Sequence, residues 1–177
     1  MMTTGGDLSE RRSRRFPENQ NMGELSAQSE DYLAIRRLQD AYADVVSRRA
    51  FDELHELFRP TTPVLIELPG GTREVTGPDE FGRFVEKRIA GLEFFQFVIL
   101  NSVVEHVDGE PDRALARIHM CELRQDRAEG RVTVLYGLYR DEYTRVDGRW
   151  WFAHRRFSPL ALTHRELEVF GYPDGVA

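Results

Sequence analysis

The chain has 177 residues, 41% of them hydrophobic and 31% charged, with a net charge of -6 from 24 Lys and Arg against 30 Asp and Glu. That is enough for one substantial core and too little for two, and the acidic balance repels a phosphate backbone, which sets nucleic acid aside as a partner. The single cysteine, Cys121, excludes an intrachain disulfide and a multi-cysteine metal site, and the sequence has neither the apolar run of roughly 20 residues that a membrane helix needs nor a secretory leader, so a cytoplasmic setting away from membranes is expected.

Residues 1–28 are polar and rich in Gly, Ser, Arg and Glu. Ordering them would cost entropy without burying apolar surface, which predicts a disordered tail. Its basic cluster, Arg11, Arg12, Arg14 and Arg15, is offset by Asp7, Glu10 and Glu18 and reads as a solvated stretch. Order begins at Ser29, an N-cap followed by Glu30 and Asp31. Tyr32, Ile35, Leu38, Tyr42, Val45 and Val46 then recur at helical spacing and predict a long first helix. Phe51, Leu54, Leu57 and Phe58 predict a short second helix that stops before Pro60, and Gly77-Pro78 opens a third that buries Phe81, Phe84 and Val85.

After Gly91 the pattern alternates, punctuated by Asp108-Gly109, Glu129-Gly130 and Asp147-Gly148, dipeptides suited to hairpin turns. Four strands are predicted, over residues 94–107, 114–125, 131–146 and 149–157, preceded by a short hairpin of 64–68 with 73–75 turning at Gly70-Gly71. Helices followed by a meander of strands define an α+β domain over 29–158, with 159–177 as a C-terminal extension that could fold over the domain's mouth. In the third long strand Leu135, Gly137, Tyr139, Asp141 and Tyr143 share one side, while Val132, Val134, Tyr136 and Leu138 share the other. One side meets the helices; the other, also apolar, predicts a sheet-on-sheet homodimer.

Several local patterns together resemble the nuclear transport factor 2-like superfamily, in particular its SnoaL-like branch with polyketide cyclases and scytalone dehydratase. They are Ala34-Ile35-Arg36-Arg37-Leu38 with Tyr42, Leu57-Phe58, Gly77-Pro78, and Tyr139-Arg140-Asp141 leading to Val146-Asp147-Gly148-Arg149-Trp150. The resemblance implies a cone, in which a curved antiparallel sheet wraps the three N-terminal helices in a cystatin-like roll with a hollow at its wide end and dimers through the outer sheet face. It also implies an aspartate late in the first helix and a histidine early in the first long strand as a proton-moving pair. Here Ser47 and Phe97 stand at those positions, and neither exchanges a proton near neutral pH.

Candidate chemistry therefore falls on other residues. Asp141 is either a general base or a carboxylate tied into a structural network by a nearby arginine or tyrosine. His154, in phase with Trp150 and Phe152, is either its relay partner or a core group. Tyr42, Ser47, Phe97, Asn101, Glu122, Tyr139 and Trp150 are the candidate substrate-binding residues. His119 falls on the expected dimer face. The five histidines show no metal-ligand spacing, and no cofactor motif is present, so the expected ligand is a hydrophobic small molecule. Two functions remain open: a cofactor-independent lyase, isomerase or cyclase on a polyketide- or terpenoid-like substrate, and a non-catalytic binding or scaffold domain.

Overall fold

In the computed structural model, which describes residues 22–68 and 70–166, with side chains over 27–68 and 70–163, the helical stripe folds as α1, Met22–Arg48. Ile35, Leu38, Tyr42, Val45 and Val46 face the core as expected, joined by Gln39, whereas Tyr32 is exposed. The helix begins ahead of Ser29. A 3-10 helix, Phe51–Glu56, takes the place of the expected second α-helix. Arg49 at φ 62 ends α1 sharply, and Phe58 is drawn into a bridge with Phe152, so the segment before Pro60 has no room for a longer α-helical run.

The hairpin β1, Pro63–Leu68, and β2, Gly71–Thr76, leads into α2, Gly77–Ile89. Gly77 sits at φ +73, donates its N–H to the Thr62 carbonyl at 2.8 Å, and a Cβ there would lie 2.4 Å from the Pro60 carbonyl oxygen. Only glycine meets both constraints. Glu80 accepts the Thr76 N–H at 2.8 Å and caps the start of α2.

Four long strands follow: β3, Leu92–Val107; β4, Glu110–Asp126; β5, Arg131–Val146; and β6, Arg149–Glu166. The sheet order is β2-β1-β6-β5-β4-β3. Every pairing is antiparallel except a short parallel contact of β1 with β6. β6 runs past Phe157, where the predicted strand ended, to Glu166. Residues 1–21 of the expected tail and 167–177 of the extension lie outside the described residues.

Of five interruptions of register in this sheet, three fall away from the ends of β3, at Leu100 in β3 and at Ala153 and Leu160 in β6. Each of these three inserts one residue, tightens the local twist and turns the following side chains to the opposite face. At Gly137 the missing side chain admits the Phe157 ring, whose Cε2 would lie 2.3 Å from a Cβ there. The core fills the concave side between sheet and helices, with Leu54, Phe58, Phe81, Ile118, Met120, Tyr143 and Phe152 almost wholly buried. The strand phase of β5 is as read: Gly137, Tyr139, Asp141 and Tyr143 are buried inward, and Tyr139 and Tyr143 belong to the core. On the outer face Val132 and Val134 are already buried within the single chain, leaving Tyr136 and Leu138 half-buried. Among the described residues, no helix is long and apolar enough to cross a membrane.

Candidate functional site

Between α1, α2 and the inner sheet face lies a cavity of about 70 Å³. Its apolar walls include Val46, Phe81, Phe95, Phe97 and Phe157, and its polar groups are Tyr42, Tyr139, Glu122, Arg124 and Arg88. Glu122 is the one carboxylate among the cavity's described lining residues. It reaches the cavity because even-numbered residues of β4, from Ala114 through Ile118 and Met120, point inward. Arg124, two residues on and on the same face, donates Nε to Glu122 Oε2 at 2.7 Å and a second hydrogen bond from Nη2 to the same oxygen. Oε1 has no protein partner among the described residues.

The Tyr42 and Tyr139 hydroxyls lie 3.5 Å apart. Burial raises the pKa of both above the ordinary tyrosine value, Tyr139 strongly, and the negative charge of Glu122 pushes each in the same direction. Both hydroxyls therefore stay protonated and are available as hydrogen-bond donors. Phe97 meets Tyr42 edge-on, ring centroids 5.3 Å apart.

Behind these tyrosines lies a buried ionic network. Arg155 grips Asp141 with two hydrogen bonds, Nε to Oδ1 at 2.9 Å and Nη2 to Oδ2 at 2.7 Å. Gln39 donates to the Tyr143 hydroxyl at 3.0 Å, which donates to Asp141 Oδ2 at 2.9 Å. The guanidinium packs against the rings of Tyr42, Tyr139 and Phe152 at 4.0, 4.2 and 4.2 Å. Burial opposes its charge, and the Asp141 carboxylate overrides that opposition, holding its pKa above the usual arginine range. Both Asp141 oxygens are engaged and the residue does not line the cavity. Of its two readings, the geometry matches the structural network.

His154 does not meet Asp141. The extra residue Ala153 shifts the register so that Tyr143 pairs with Phe152, Glu142 with His154, and Asp141 with Arg155. His154 consequently leaves the phase of Trp150 and Phe152 and borders an outer-face groove with Glu142, Arg117 and Arg156, whose lining Asp141 also joins without a hydrogen bond to His154 among the described residues. Nothing in the local sequence marks this bulge, so Arg155, the residue that does face Asp141, escaped the alternation rule.

The remaining candidates separate. Tyr42, Phe97, Glu122 and Tyr139 converge on the cavity. Ser47 and Phe97 are neighbours, but the Ser47 hydroxyl accepts the Phe97 backbone N–H at 3.0 Å and donates to the Ala43 carbonyl at 2.6 Å, which makes it a tie between α1 and β3. Trp150 lies away from the cavity and donates Nε1 to Asp31 at 2.9 Å. Asn101 is exposed on β3 beyond the Leu100 bulge. Sequence reasoning missed the contribution of Arg88 and Arg124, whose charges gave no hint of facing an apolar hollow. Among the described residues, no three His, Cys, Asp or Glu side chains gather as metal ligands would.

The model of the SnoaL-like domain family matches residues 27–156. Among solved structures, a candidate scytalone dehydratase from Novosphingobium aromaticivorans is 22% identical with a TM-score of 0.69, covering 85% of this chain and 97% of that one. The hexachlorocyclohexane dehydrochlorinase LinA-type3 from Novosphingobium barchaimii is 19% identical with a TM-score of 0.70, covering 83% and 98%. An NTF2-like protein with a cystatin-like fold from Novosphingobium aromaticivorans is 18% identical with a TM-score of 0.66, covering 79% and 88%. At these identities the likeness is one of fold. No curated protein matches the sequence.

Proposed function

Because the chain belongs to the SnoaL-like domain family, we propose that its cone takes up a small, largely apolar molecule and moves a proton on it without a cofactor, as a lyase, isomerase or cyclase on a polyketide- or terpenoid-like substrate would. Glu122 is the proton acceptor in this reading, in place of the Asp141 and His154 pair, and Tyr42 and Tyr139 orient the substrate's carbonyl or hydroxyl oxygen. The observation that carries it is the free Oε1 of Glu122 bordering the same cavity as two protonated tyrosine hydroxyls. The dehydratase and dehydrochlorinase names among the fold neighbours are both of elimination enzymes, which supports a lyase-type reaction. The outer sheet face, in the same proposal, pairs with a second copy.

Proton transfer alone is measurable before the substrate is known. A bicyclic aromatic ketone such as α-tetralone, incubated with the protein in D2O, should exchange its α-protons, followed by NMR. Glu122→Gln should slow that exchange by about 10²-fold or more, and Asp141→Asn should not do so beyond its effect on folding. Exchange at the buffer rate with intact protein contradicts the catalytic reading. A second reading, a binding domain without chemistry, is favoured by the Ser47 and Phe97 tie, which fills the positions of the usual pair with groups that do not titrate.

A further inference from the structure

The cavity adjoins a much larger surface groove, and Leu68, Phe84 and Arg88 border both spaces. Arg73, Arg83, Lys87 and Arg88 line the groove against only Glu74 and Glu80, and Glu80 already accepts the Thr76 N–H. None of the four cations forms an ion pair among the described residues. Most other arginines with described side chains are paired, including Arg36, Arg48, Arg113, Arg117, Arg145 and Arg156. The C-terminal turn of α2 accounts for Lys87 and Arg88 through the helix dipole. It does not account for Arg73, which comes from β2 and holds its guanidinium 5.4 Å above the Phe84 ring, nor for Arg88 standing on the cavity wall.

We propose that the ligand of this cone is an apolar carboxylate, with its hydrocarbon or aromatic body in the cavity and its carboxylate at the mouth among Arg88, Arg73 and Lys87. This rests on the small-molecule pocket proposed above and adds the ligand's charge. A chain of net charge -6 repels an anion everywhere except where unpaired cations concentrate, so the mouth supplies both steering and a bidentate partner for a carboxylate. Deeper in the cavity the walls are mostly apolar and the one acidic group is Glu122, a pairing that disfavours an anionic head group and admits the tail, which fixes the direction of entry.

The matched probes are 4-phenylbutyrate and 4-phenylbutanol, alike in body and different in head, measured by calorimetry with a thermal-shift check. The acid should bind at least about tenfold more tightly than the alcohol at low ionic strength, and the ratio should fall toward one at about 0.5 M salt. Arg73→Gln with Lys87→Gln, both on the surface, should collapse the ratio in the same way while circular dichroism stays that of the parent. Equal affinities in the parent, or a preference that survives the double substitution, would overturn the carboxylate assignment and leave the pocket standing. Leu135→Trp and Val85→Trp, each filling the cavity from a different side, should abolish binding of both probes. If neither probe binds the parent, or if both bind the filled variants undiminished, the pocket reading falls and the carboxylate assignment falls with it.

Discussion

Asp141 and Arg155 are the most tightly enclosed charges in the structure, with side-chain exposures of 0% and 1%. Removing one partner of such a pair leaves the other buried and uncompensated, which costs about 3–5 kcal/mol. Asp141→Ala should therefore lower unfolding stability by that order, read from urea denaturation. The double substitution Asp141→Leu with Arg155→Met removes both charges and should recover a large part of the loss, because neither desolvated ion remains. A double variant as unstable as the single one would mean that Gln39 and Tyr143, which extend the network, carry the stability instead. The inward position of Asp141 was legible from β5 alternation, whereas its structural tie stood beside a general-base role as one of two open readings. Its arginine partner was not, because parity counted from Trp150 places Arg155 on the wrong face.

That failure belongs to the scale of the element. Alternation is reliable along β4 and β5, where the even residues 114–124 and the odd residues 135–143 keep one phase, and the placement of Glu122, Tyr139 and Asp141 followed from it. Away from the ends of β3 it breaks at Leu100, Ala153 and Leu160, where one inserted residue resets the phase and no glycine or proline at these three positions announces the reset. Hairpin turns were legible because Gly109, Gly130 and Gly148 supply the positive φ that those turns demand. The packing of α1 on β3 rests in part on a single side chain, Ser47, whose hydroxyl receives the buried Phe97 N–H. Ser47→Ala leaves that donor without a partner, at a cost of about 1–3 kcal/mol. The expected result is a lower denaturation midpoint with an unchanged m-value, and faster hydrogen exchange at the Phe97 amide. An unaltered amide would show that the tie between helix and strand lies elsewhere.

For the molecule as a whole, the two faces of the curved sheet differ in what they leave exposed. The concave side is consumed by the core and the small cavity, so the self-association proposed above would use the convex side. There Val103 and Leu115 are 42% and 39% exposed, close to Arg117, Arg140, His154 and Arg156 on one hand and Glu105 and Glu142 on the other. A surface that carries both signs around an apolar strip can match itself across a two-fold axis, as an isologous interface requires. Val134, buried within one chain, is a poor probe of such an interface, since a charge there would disturb the fold first. Leu115→Glu and Tyr136→Glu are better placed, the former because its side chain is already open to water in the single chain. If the convex face pairs, the parent should elute as a dimer with light scattering giving twice the 20.5 kDa chain mass, and both variants should elute as monomers with little change in melting temperature. A parent that is monomeric at tens of micromolar, or variants that stay dimeric, would exclude this face as the site of self-association.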